Sequence, residues 1–183
     1  MRRIANTSFV PVIVLCFLAA LWSLPSASAQ RKGEYLTDDE MTLVQDLRRI
    51  DNRAMVFLMI AERRLIAVRD PNAQPKGGHM EDFGPLPKGS QVELLDDYRR
   101  AVDELMAKLD DEYERTGMTK ELYAALTYTK QEITRQLGEI DALKPVLTQP
   151  DAGRFASKAR ESAEQLDEGT TAALSEHAPA SKP

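Results

Sequence analysis

Two long segments, residues 90–116 and 119–144, carry apolar side chains at every third or fourth position, and neither contains a proline. This spacing places the apolar side chains on one face of an α-helix. Ser90 and Glu93 form a capping box at the start of the first segment, and Gly117 suits the left-handed residue that follows a helix. Because the connection is so short, the two segments predict a long antiparallel helical hairpin.

The flanking segments predict further helices. Thr37 and Glu40 form another capping box, and residues 50–69 follow with the rhythm of a buried helical face. A C-terminal helix is expected to be weak, because its apolar face is mostly alanine: Phe155, Ala159, Ala163 and Leu166. The predicted fold is therefore all-α, a helical bundle built on the hairpin, as a single domain over residues 30–169. Residues 170–183 hold few large apolar side chains and predict a disordered tail.

Residues 70–89 interrupt this pattern. They contain four prolines and four glycines and show no periodicity, which predicts a long loop. A loop of this length is uncommon in a compact domain unless it has a function or is disordered.

The first 29 residues resemble an export signal. Arg2 and Arg3 precede an apolar run at residues 9–22, and Ala27-Ser28-Ala29 is an A-x-A cleavage site before Gln30. The apolar run is shorter than the roughly 20 residues of a membrane-spanning helix, so no permanent membrane anchor is expected. We therefore expect cleavage between Ala29 and Gln30 and a periplasmic or secreted protein.

Composition excludes several classes of function. Cys16, the single cysteine, lies in the predicted signal, so the mature protein would have no disulfide, thiol nucleophile or cysteine-held metal. The net charge of the chain is −5, and the signal carries two arginines but no acid, so the mature chain is more acidic still. Such a charge repels phosphate backbones, and we expect no nucleic-acid partner.

Residues 54–61 are eight consecutive apolar residues, which point in every direction around a helix. One interpretation is the central helix of the bundle. The other is a surface shared with a protein partner or a second copy of the chain, through five side chains: Met55, Val56, Phe57, Met59 and Ile60.

Charge is segregated between two segments. Residues 45–69 hold six arginines against three acids, whereas residues 90–117 hold four basic residues against nine acids. Neighbouring helices with complementary charges explain this pattern, as does simple solvation. An anionic-ligand or lipid-headgroup site on the arginine-rich helix remains an alternative.

One cluster in the long loop has the chemistry of a metal ligand set. It consists of His79, Met80, Glu81 and Asp82, whose imidazole, thioether and carboxylate groups suit copper or zinc. A single histidine in a loop is equally typical of polar surface. No cofactor is expected elsewhere.

Catalytic motifs such as G-x-S-x-G, S-x-x-K, H-E-x-x-H and a glycine-rich phosphate loop do not occur in the sequence. Residues 36–40, Leu-Thr-Asp-Asp-Glu, resemble the L-T-x-x-Q motif of small helical periplasmic stress proteins, with glutamate in place of the final glutamine. That resemblance implies a chaperone or a metal-responsive sensor. From the residues themselves we expect an exported, non-catalytic protein that acts through protein–protein interaction or self-association.

Overall fold

A computed structural model describes residues 35–74 and 83–177. Within these ranges the chain forms five α-helices and no strand, so the all-α prediction is confirmed. The helices are α1 (Asp38–Asp46), α2 (Ile50–Arg69), α3 (Gln91–Thr116), α4 (Lys120–Ala142) and α5 (Ala152–Glu176), with a 3₁₀ turn at Lys144–Val146 between the last two.

The helix ends follow the predicted caps. The backbone N–H of Glu40 donates to the Thr37 hydroxyl, and the Glu40 carboxylate accepts from the Thr37 N–H at 2.9 Å. Ser90 and Glu93 repeat this capping box at the start of α3. Gly117 ends α3 with a φ of 67°, a conformation that favours glycine. The turn between α3 and α4 therefore lies where the sequence places it.

Four helices, α2 to α5, form the bundle. α2 and α5 each pack along both α3 and α4, whereas α3 and α4 touch each other only sparingly. The Gln91 side chain at the start of α3 donates to the carbonyl of Val146 just after α4, so α3 and α4 run antiparallel as predicted. The hairpin thus spans a diagonal of the bundle, and α2 and α5 complete the core on either side.

The core is filled mainly by α2, α3 and α4. Fully buried side chains include Phe57, Leu58, Leu65, Leu105 and Ile133. The apolar run at residues 54–61 supplies much of this core, because α2 packs against α1, α3 and α4.

The C-terminal helix corrects the predicted start of the disordered tail. α5 is a full member of the bundle and continues to Glu176, with Thr170 buried, so a disordered tail beginning at residue 170 is wrong. Its buried face consists mostly of small side chains: Ala152, Ala156, Ala159, Ser162, Ala163, Leu166 and Thr170. Small residues let helix backbones approach closely, so α5 gains contacts that side-chain size alone does not reveal. Residues 178–183 lie outside the described ranges.

Two other predictions fall on residues that the structure does not describe. These are the export signal at residues 1–29 and the loop cluster of His79, Met80, Glu81 and Asp82. The described end of the long loop packs onto the bundle, where Phe83, Leu86 and Pro87 are buried. Among the described helices, none is both long and apolar enough to cross a membrane.

Candidate functional site

The only buried side chain of α1 is a carboxylate. Glu40 has no exposed surface, and it meets two fully buried arginines of α2, Arg63 and Arg64. Nη2 of Arg64 donates to Oε2 of Glu40 at 2.6 Å, and Nε of Arg63 donates to Oε1 at 3.1 Å. Nη1 of Arg64 also donates to Oε1. We call these three residues the buried clamp.

The clamp also holds two stretches of backbone. Arg63 donates to the carbonyl oxygens of Phe83, Gly84 and Pro85, and its guanidinium lies 5.5 Å from the centre of the Phe83 ring. Arg64 donates to the carbonyl of Tyr35 at 2.5 Å. The clamp therefore fastens both the segment before α1 and the end of the long loop to α2.

Electrostatics favour the ionised clamp. Burial raises the pKa of Glu40. The hydrogen bonds and charges of Arg64 and Arg63, together with the hydrogen bond from the Thr37 amide, lower it by more, so the pKa lies below its ordinary value. Burial lowers the pKa of Arg63, and Glu40 opposes this shift. Because both carboxylate oxygens accept from guanidinium groups, Glu40 stabilises the fold and has little capacity left to bind a substrate.

The five predicted partner-binding residues divide into two groups. Met55 is 40% exposed and Val56 is half-buried, whereas Phe57, Met59 and Ile60 are buried inside the bundle. Contact of the buried three with a partner would require the bundle to open. The binding role of this run stays a prediction, and only Met55 and Val56 offer surface for it.

An apolar groove lies elsewhere, between the C-terminal halves of α3 and α5 and the start of α4. Its volume is about 310 Å³. We call it the end groove; its main lining residues are Met106, Leu109, Asp110, Tyr113, Leu122, Leu126, Gln165, Leu166, Gly169, Ala173, Glu176 and His177. The leucines of the lining are buried and belong to the core of the bundle.

Small residues on α5 open this groove. Gly169 and Ala173 face it from α5, and a Cβ added at Gly169 would meet nothing within 4 Å. Tyr113 of α3 is 42% exposed, one of two large apolar side chains this accessible in the described part of the chain. Its hydroxyl lies 3.2 Å from Nε2 of His177, which joins the ends of α3 and α5 beside the groove.

The groove has an apolar interior and an acidic rim. Asp110 and Glu176 line it as exposed carboxylates, whereas no lysine or arginine does. Apolar groups that enter such a groove gain free energy by leaving water, and the rim attracts positive charge. The arrangement suits binding of an apolar segment that carries basic residues.

Sequence reasoning missed this groove for two reasons. Its residues come from three helices, α3, α4 and α5, and these helices are neighbours only because α3 and α4 lie diagonally across the bundle. One wall, residues 170–177, falls within the segment for which the sequence predicts a disordered tail. The signal that could have found it is the set of small residues on α5, Gly169, Ala172 and Ala173, opposite large ones on α3.

The described residues contain no group of three or more histidine, aspartate or glutamate side chains placed to hold a metal ion. The predicted ligand set at residues 79–82 lies outside those residues and is therefore not tested. Leu36 to Glu40, which resemble the L-T-x-x-Q motif, form the first capping box and contribute Glu40 to the buried clamp.

Comparison of the chain with protein-family models, with curated proteins and with solved structures gives no match.

Proposed function

We propose that this chain is a non-catalytic binding protein whose end groove takes an apolar segment of a protein partner. The observation that carries the proposal is an apolar groove of about 310 Å³, open at the surface beside the exposed ring of Tyr113. Concave apolar sites of roughly 300–1,000 Å³ are typical of ligand pockets. The groove offers buried apolar surface without any change in the bundle.

The rim indicates the charge of the occupant. Asp110 and Glu176 stand at the groove, and the chain as a whole carries a net charge of −5. A segment with lysine or arginine beside its apolar residues would pair with these carboxylates and associate faster at low salt.

The size of the groove favours a segment over a second copy of the chain. A stable interface between folded proteins buries about 1,200–2,000 Å² of total surface. A groove of about 310 Å³ accommodates only a few side chains, which matches a short peptide or one turn of an amphipathic helix. Self-association would need additional surface, for which the exposed Met55 and the half-buried Val56 are the apolar candidates.

We also propose that the protein is exported. The support is the sequence of residues 1–29, with two arginines, an apolar run and an A-x-A site. A mature protein that begins at Gln30, found by mass spectrometry of the exported fraction, is the expected result.

Filling the groove is expected to weaken binding of the apolar segment. In Gly169→Leu the new side chain enters the open space beside Gly169, and leucine also favours the helix by up to about 1 kcal/mol relative to glycine. The probe is a fluorescent amphipathic peptide of leucine and lysine, measured by anisotropy. We expect at least about tenfold weaker binding by this variant, because the peptide loses its apolar site.

Gly153→Leu is the matched control. It makes the same change on the same helix, also into open space, but at residue 153, far from the groove. We expect Gly153→Leu to bind the probe as tightly as the unmodified chain does. A peptide of leucine and glutamate is expected to bind neither Gly153→Leu nor the unmodified chain. Equal affinities of both variants, or a preference for the acidic peptide, would contradict the proposal.

A further inference from the structure

A second, polar pocket lies on the opposite side of α3 from the end groove. Its volume is about 190 Å³, and it is formed by the turn before α2, the first turn of α2 and the last turns of α3. We call it the cationic pocket; it is lined by Arg48, Ile50, Arg53, Lys108, Asp111, Glu112 and Arg115.

Positive charge exceeds negative charge in this pocket. Four basic side chains face two acids, and one pair is already joined, since Nη2 of Arg115 lies 2.5 Å from Oε2 of Glu112. Arg53 donates through Nε to the carbonyl of Leu47 at 2.8 Å, which neutralises none of its charge. Three cations therefore remain against Asp111, an excess of two positive charges in a chain whose net charge is −5.

Two of these cations have no counterion within residues 35–74 and 83–177. Arg48 and Lys108 make no hydrogen bond or ion pair with any described residue. They come from separate elements, the α1–α2 turn and α3, and the fold brings them to one concave pocket. Like charges held together in this way repel each other, so an anion that binds between them is stabilised.

The start of α2 adds to the positive potential. Its N-cap residue, Arg49, provides no side-chain cap, unlike Thr37 and Ser90 at the starts of α1 and α3. The first N–H groups of α2 and its helix dipole therefore favour negative charge beside Ile50 and Arg53. Asp51 satisfies the N–H of Asn52 in this turn, at 2.9 Å.

We propose that the cationic pocket binds a dianionic phosphate group. Guanidinium groups form paired hydrogen bonds with phosphate oxygens, and a phosphomonoester carries about −1.5 to −2 charges at neutral pH, which matches the excess in the pocket. The small volume suits a phosphate or a headgroup more than a large ligand. This binding is independent of the end groove, because the two sites use opposite faces of α3.

Titration calorimetry with inorganic phosphate tests the proposal. The double variant Arg48→Gln/Lys108→Gln removes two charges that hold nothing else in the described structure, so its fold is expected to remain intact. We expect phosphate to bind it at least about tenfold more weakly, the loss typical of one charge-assisted hydrogen bond or more. Asp111→Asn removes the remaining acid and is expected to bind phosphate more tightly.

Lys88→Gln is the control for net charge. Lys88 is exposed just before Gln91, the first residue of α3, and Lys108 lies about 25 Å along the helix from Gln91. Loss of Lys88 should therefore leave phosphate binding unchanged. The proposal is overturned if the unmodified chain binds neither inorganic phosphate nor vesicles that contain phosphatidic acid. Equal weakening by Lys88→Gln, or unchanged binding by the double variant, overturns it as well.

Vesicle sedimentation separates the two sources of the phosphate group. Vesicles of phosphatidylcholine with phosphatidic acid present a phosphomonoester headgroup, and vesicles of phosphatidylcholine alone do not. Binding to the first kind that the double variant loses identifies a lipid headgroup as the ligand. Binding of inorganic phosphate without vesicle binding identifies a free phosphate compound, and either result supports the site.

Discussion

Glu40→Gln is expected to lower the free energy of unfolding by about 3–5 kcal/mol, the usual cost of removing one partner from a buried ion pair. Arg63 and Arg64 have no exposed surface, and Glu40 is the carboxylate that both contact. Without its charge, the two buried guanidinium groups lose the carboxylate that they share. Urea denaturation followed by circular dichroism measures the change.

Glu93→Gln separates the ion pair from the capping box. Glu93 makes the same cap at the start of α3 as Glu40 makes at α1, but it is exposed and pairs with no arginine in the described part of the chain. We expect this control to cost about 1 kcal/mol or less. Similar losses for both variants would show that the buried clamp contributes nothing beyond the cap.

The clamp also has an expected pH signature. The pKa of Glu40 in the folded chain lies below its ordinary value of 4.5, so its contribution is present above that pH and is lost as the pH falls through the folded pKa. The difference in stability between the unmodified chain and Glu40→Gln should therefore be greatest above about pH 4.5 and shrink in acid. Denaturation curves over this pH range measure it.

Phe57→Ala is expected to destabilise the bundle by about 3–5 kcal/mol, because the ring is buried and its removal leaves a cavity. Phe57 belongs to the apolar run that the sequence offers either to the core or to a partner. A large loss of stability identifies its role as packing. The measurement is again urea denaturation of the isolated protein.

Met55→Ala is the matched control from the same run. Met55 is 40% exposed, and its truncation should change stability by no more than about 0.5 kcal/mol. If Phe57→Ala instead leaves the free energy of unfolding unchanged, burial of this side chain does not stabilise the bundle. The interpretation of residues 54–61 as a partner surface then gains support.

Local features of the fold could be predicted from the sequence. The capping boxes at Thr37 and Ser90, the glycine at 117 and the helical periodicity each depend on a few neighbouring residues, and the structure confirms them. The opposite charges of two segments are compatible with neighbouring helices or with solvation, and the structure packs α2 against α3.

Features that depend on helix arrangement could not be predicted. Glu40 reads as a capping residue in the sequence, and nothing local indicates that two arginines of the next helix surround it. The alanines of α5 suggested a weak helix because their side chains are small, although small side chains are what permits close packing. Both the end groove and the cationic pocket combine residues from separate elements, so their existence depends on the diagonal hairpin.

The most direct test of the end groove is a methyl NMR titration of the full chain with the leucine–lysine peptide. We expect the largest shift changes at the methyl groups that line the groove, above all those of Leu122, Leu126 and Leu166. Changes concentrated at Met55 and Val56, with the groove methyl groups unaffected, would contradict the account and move the binding surface to α2.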